Sequence, residues 1–208
     1  MFTSTVIILL ASSLASAQPA RSERAQPRPA APALSASRAV MAGSMLSVSV
    51  TRPPESARLA IARSDDPAAR AVVVMPLPAG GRVALPVPGM AGTYELRLTR
   101  DRAGAVEVLA RQPLEAAPAT ATVSTLSRVG RGAPLPARAI GPNGEQDRVV
   151  LVRKDAPAEA SGPAFFPAEN VEATLEAPGE PGDYELRYVM HAPLAEHRIL
   201  ARVAVSVE

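Results

Sequence analysis

One passage of this chain is written twice. RLAIAR (58–63) lines up with RVVLVR (148–153) at an offset of 90 residues, and the turns that follow, SDDPA (64–68) and KDAPA (154–158), share Asp, Pro and Ala. Without a gap, LPVPGMAGTYELRL (85–98) then aligns with LEAPGEPGDYELRY (175–188). LAR (109–111) meets LAR (200–202) at an offset of 91, so one residue is inserted in the intervening hairpin. Internal repetition constrains architecture before any local propensity does. Strands rich in alanine can resemble one another by chance, but chance does not keep Gly, Pro and Tyr in register. The chain therefore reads as two copies of a unit of about ninety residues, within the usual size of one small domain.

Within each copy the apolar signal is short and alternates with period two, the pattern of half-buried strands. LSVSV (46–50), RLAIAR, RVALPV (82–87), YELRL and VEVLA (106–110) carry it in the first copy. RVVLVR, VEATLE (171–176), YELRYV and RILARVAVSV (198–207) carry it in the second. The 22 prolines disfavour long helices, and Pro, Gly and Asp turns punctuate the strands. The expected fold is all-β: two tandem antiparallel β-sandwiches, over 34–115 and 116–208, with EAAPATA (115–121) as the seam.

In such a sandwich a Tyr that opens a late strand after a tight turn is the setting of a tyrosine corner. Tyr94 and Tyr184 are placed in that role, with Gly92 and Gly182 allowing the chain to turn just before the strand. Alternation puts Tyr184, Leu186 and Tyr188 on one face and Glu185 and Arg187 on the other, as it does Glu95 and Arg97. The charged pairs are expected on a solvated face.

The first residues point to export. VIILLASSLASA (6–17) is an apolar run too short to span a bilayer, and it ends in the small residues Ala15-Ser16-Ala17. Residues 1–17 are expected to be a signal peptide, although MFTST carries no Lys or Arg. Residues 18–33, dense in Pro, Ala and Arg, read as an extended linker. No transmembrane span is expected after cleavage, and the mature chain is placed in the periplasm or outside the cell.

Several phrases resemble a known family. APGEPGDYELRYV (177–189), the later RILARVAVSV and IGPNGEQDRVVLVRKDAPA (140–158) are similar to immunoglobulin-like β-sandwich repeats of bacterial exported proteins. Those repeats often sit C-terminal to a von Willebrand factor A-type domain. The resemblance covers most of the second copy and the first more loosely. It implies the sandwich fold and an exported setting. Ile140 stands where the family tends to place an aromatic residue, and the metal-binding DxSxS motif of the A-type domain is absent, so no metal-dependent adhesion carries over.

Chemistry is sparse. The absence of Cys removes disulfides, zinc–thiolate sites and thiol nucleophiles. There is no Trp and aromatics make up 3%, which weighs against stacking platforms for nucleic acid or sugar. No G-x-S-x-G elbow and no Gly-rich phosphate loop is present. The only histidines, His191 and His197, read as hairpin surface residues with no completed ligand set. No catalytic residue, metal or cofactor is expected.

Two features point to binding. AVVVMPLP (71–78) corresponds to GPAFFPAE (162–169), where Phe165 and Phe166 are adjacent, so one of them points away from the core. They are the candidate partner-binding residues. The copies also differ in charge, ten Arg against seven acids in 34–115 and nine Arg or Lys against twelve acids in 116–208. The expected function is a non-enzymatic binding or structural module of the bacterial envelope whose partner is another envelope protein, with no nucleic acid involved and self-association left open. The alternative is a carbohydrate-recognition module accessory to an envelope enzyme.

Overall fold

The computed structural model describes residues 31–208. The expected signal peptide and all but the end of the linker lie outside the described residues. Those described contain strands and turns and no helix.

The first copy contributes β1 (Ala33–Ala36), β2 (Ala39–Met41), β3 (Met45–Thr51), β4 (Arg58–Arg63), β5 (Val73–Pro76), β6 (Arg82–Pro86), β7 (Gly92–Arg102) and β8 (Ala105–Ala117). The second contributes β9 (Thr122–Thr125), β10 (Arg128–Val129), β11 (Pro134–Ile140), β12 (Arg148–Arg153), β13 (Ala164–Phe165), β14 (Glu172–Glu176), β15 (Gly182–Ala192) and β16 (Ala195–Val207). Strand for strand, the two sets repeat. A three-stranded sheet β1-β3-β6 faces a five-stranded sheet β2-β8-β7-β4-β5, and β9-β11-β14 faces β10-β16-β15-β12-β13. All pairings are antiparallel except β2 with β8 and β10 with β16, which are parallel. The register repeats as well: Arg58 is opposite Thr99, and Arg148 is opposite Val189, 90 residues on.

Alternation fills the space between the sheets. Leu46, Val48, Val50 and Leu85 from one sheet meet Leu59, Ile61, Leu96, Leu98 and Leu114 from the other, all buried. In the second sandwich Leu135, Ala137, Ala139 and Leu175 meet Val149, Leu151, Leu186, Tyr188 and Val205. Each is one contiguous core of the kind that stabilises a small domain. These are two tandem all-β sandwiches.

A short connection, 118–121, joins β8 to β9, and its Ala119 packs against both cores. The sandwiches also touch directly. The Gly89 N–H donates to the Pro193 carbonyl at 2.7 Å, and Arg198 donates to the Gly89 carbonyl at 3.4 Å. A Cβ on Gly89 would lie 2.6 Å from that of Ala195, and one on Gly43 would lie 2.3 Å from the Met190 sulfur. Pro88 and Gly89 are consequently buried, whereas their counterparts at the far end, Pro178 and Gly179, are half-buried and exposed.

Candidate interaction site

The repeated Tyr closes the same loop in each sandwich. The Tyr94 hydroxyl donates to the Met90 carbonyl at 3.0 Å, and Tyr184 donates to Glu180 at the same distance. Gly92 and Gly182 have φ of +153° and +143°, a backbone region that side chains rarely adopt. Burial pushes the Tyr94 phenol above its ordinary pKa, with the nearby Arg63 charge acting the other way. Arg153 lies over the Tyr184 ring and pairs with Glu180.

The expected solvated face for the Glu–Arg pairs is not what the fold builds. Arg97 is 0% exposed and Arg187 2%. Each points off the outer face of its five-stranded sheet, but the loop after the neighbouring strand folds over it. Arg97 donates to Glu95 and to the carbonyls of Arg63, Asp66 and Pro67 at 2.9–3.1 Å. Arg187 donates to Glu185 at 2.8 Å and to the carbonyls of Arg153, Lys154, Ala156 and Pro157. The guanidinium fork thus pins the SDDPA and KDAPA turns, which is why those turns recur with it. A planar group with five donors suits several carbonyls at once. Beside Arg187, Val150, Val152 and Val189 form a small apolar cluster under the same loop.

Where the copies part company, polar residues gather. Positions 57, 98 and 51 are Ala, Leu and Thr; their counterparts are Asp147, Tyr188 and Gly141. Asp147 is 0% exposed. It accepts from the Tyr188 hydroxyl at 2.7 Å, from the His191 N–H at 2.9 Å and from the Gly144 N–H at 3.0 Å. The Asn143 N–H donates to the Tyr188 oxygen at 2.8 Å. A Cβ on Gly141 would lie 2.6 Å from the Tyr188 ring, so the Gly and the larger Tyr go together. Burial raises the Asp147 carboxyl above its ordinary range, while the hydrogen bonds from His191, Tyr188 and Gly144 act against the rise. Burial and the adjacent Asp147 push the Tyr188 phenol far up. The network fixes the 141–147 loop, whose Gly144 seats against the Gly43 carbonyl of the first sandwich. With every oxygen of Asp147 engaged, this is a positioning device rather than a general base.

The inserted residue also has a place. Both hairpins carry a register shift at equivalent positions, Leu98/Thr99 and Tyr188/Val189; beyond it the first hairpin runs unshifted to its turn, with Asp101 facing Val106. In the second, pairing shifts between Met190–Arg198 and Ala192–Ala195, so His191 alone faces Glu196 and His197. This is a β-bulge. It leaves His197 at φ +54° and sets the His191 and His197 rings edge to face, 5.1 Å between centres.

Phe165 is 9% exposed and belongs to the second core, while Phe166 is 45% exposed on the opposite face. Phe166 borders a depression of about 330 Å³ shared with Val189, Arg148, His191, His197 and Glu145. It directly follows β13, which is an edge strand. Leu77 donates to Ala57 across β5 and β4, so alternation turns the backbone of Val74 and Pro76 outward. Leu151 donates to Pro163 in the same way, turning Ala164 and Phe166 outward. Strand register sets the two edge segments 90 residues apart, not the 91 of the sequence alignment, so the first sandwich puts Pro76, which has no N–H, where the second puts Phe166 and not Pro167.

Of the two residues expected to meet a partner, Phe165 belongs to the core and only Phe166 is exposed. Alternation assigns Arg97, Arg187 and Tyr188 to strand faces without their buried hydrogen-bonding roles, and it does not single out Asp147. The signal for the last two was available, since paired departures from a strict repeat mark what one copy does differently. Among the described residues no group of three or more His, Cys, Asp or Glu is arranged to hold a metal ion, and no helix is long and apolar enough to cross a membrane.

No protein-family model matches the chain, and neither does any curated protein. Solved structures similar to it include the FN1–FN3 domains of chicken CNTN1, at 10% identity over 86% of this chain and 67% of that one, TM-score 0.32. Another is a two-domain fibronectin type-III segment of chicken tenascin, at 12% identity over 85% of this chain and 97% of that one, TM-score 0.34. A third comprises three N-terminal domains of the bacteriophage RB49 highly immunogenic outer capsid protein, at 11% identity over 85% and 57%, TM-score 0.32.

Proposed function

We propose that this chain is a non-enzymatic, exported protein of the bacterial envelope, periplasmic or secreted, whose two sandwiches serve protein–protein contact. Phe166 and the β13 edge are its docking point. The observation that carries this reading is the asymmetry between duplicated edges. Proline closes β5 at Pro76, which is how sheets blunt an edge against unwanted pairing. At the equivalent position, one residue past β13, Phe166 presents a backbone N–H and an exposed aromatic ring, while its carbonyl accepts from the Glu169 and Asn170 N–H groups in a local turn. A partner strand added there gains main-chain hydrogen bonds from the edge and specificity from the ring.

The test separates the two phenylalanines. Phe166→Ser is expected to abolish recovery of a specific envelope partner from periplasmic extract while leaving the urea midpoint unchanged. Phe165→Ala is expected to lower stability by about 3 kcal/mol, since it opens a cavity in the core. Equal destabilisation by both substitutions, with partner recovery intact in Phe166→Ser, refutes the docking role.

A further inference from the structure

We infer that the β15–β16 bulge is a binding site for a divalent transition-metal ion such as Zn²⁺ or Ni²⁺, held by the imidazoles of His191 and His197. Three observations meet there. First, both donors are peculiar to the second sandwich: Asp101 stands where His191 does, and the extra residue that brings His197 opposite it is the one insertion in an otherwise ungapped hairpin alignment. Bulges of this kind re-aim side chains and are over-represented beside functional sites.

Second, His197 adopts φ +54°, a left-handed backbone that a non-glycine residue occupies at a cost. Third, the spacing suits one ion. With a metal–nitrogen distance of about 2.0 Å and the ring centre about 1.1 Å farther out, two imidazoles on a tetrahedral ion stand about 5 Å apart. The observed separation is 5.1 Å, a distance that edge-to-face ring packing also gives.

Two carboxylates lie nearby, although neither completes a group of three potential ligands with the histidines. Glu145 lines the depression in front of the two rings, and Glu196 lies in the bulge itself. Arg148 also borders the depression, but its guanidinium is directed to the carbonyls of Ala158 and Ala160, while Arg198 donates to Gly89. His191 is held in place through its backbone N–H on Asp147. Two protein ligands leave the remaining positions to water or to a donor from a partner, so the site is exchangeable. Imidazole donors select borderline ions over Mg²⁺ and Ca²⁺, which prefer oxygen.

Calorimetric titration of the full chain with ZnCl₂ or NiSO₄ alone tests this. The expected result is one saturable equivalent that weakens as pH falls, because protonated imidazole does not ligate. His191→Gln and His197→Asn, the latter keeping a residue tolerant of the left-handed backbone, are each expected to weaken binding roughly tenfold or more. Magnesium is expected to give no binding. Absence of saturable binding, or unchanged affinity in both variants with their fold intact by circular dichroism, overturns the proposal. Partner recovery through Phe166 is scored separately with chelator present, so the two readings fail independently.

Discussion

Removing the guanidinium of Arg187 leaves the carbonyls of Lys154, Ala156 and Pro157 without their shared donor and Glu185 without its partner. Arg187→Met is therefore expected to destabilise by about 3 kcal/mol in urea unfolding, the scale of breaking a buried pair. Arg187→Lys is expected to recover little, since an ammonium is a point charge without the planar fork. Tyr184→Phe removes a single hydrogen bond and is expected to cost about 1 kcal/mol. Asp147 makes a prediction in pH. Its carboxyl binds a proton more readily folded than unfolded, so its contribution to stability is fully present below about pH 4 and declines as pH rises through the raised value. Urea midpoints of the parent and Asp147→Asn measured from pH 4 to 8 should show the difference in favour of the parent shrinking upward. Alternation placed Arg187 on the correct face of its strand, but a residue's face says nothing about the loop that will cover it. The cover over Arg187 is a long-range contact, more than thirty residues away in sequence, and strand periodicity carries no information about it.

Elements were more legible than residues, because a duplicated text reports its own punctuation. The strands read from RLAIAR, YELRL and their copies are β4, β7, β12 and β15, and the one-residue slip between the LAR phrases is the bulge in β15–β16. What the text did not disclose was hydrogen-bond parity, which decides whether a proline points its missing N–H at a neighbour or at solvent. That parity depends on pairing partners, and it makes Pro76 a guard on β5. Pro76→Thr is expected to leave the fold intact and to promote concentration-dependent self-association through the opened edge, visible as a rising weight-average mass in sedimentation equilibrium. A strictly monomeric Pro76→Thr protein would remove the parity argument from Phe166 as well.

At the scale of the whole molecule, the two sandwiches share a seam built from glycine and alanine. Ala119 touches both cores, and Gly43 and Gly89 allow backbone to approach Met190 and Ala195 more closely than any side chain permits. Gly89→Val is expected to force the sandwiches apart, raising the radius of gyration in solution scattering and exposing 118–121 to limited proteolysis, while each core keeps its strands. The parallel pairings have a consequence of a different kind. In each sandwich the first strand to join the larger sheet, β2 or β10, runs alongside the last, β8 or β16, in the same direction. Tension applied between the ends of the chain therefore drags these neighbours past each other and loads their hydrogen bonds in shear, all together, instead of unzipping them one by one. Single-molecule stretching is expected to show two abrupt, high-force ruptures, one per sandwich.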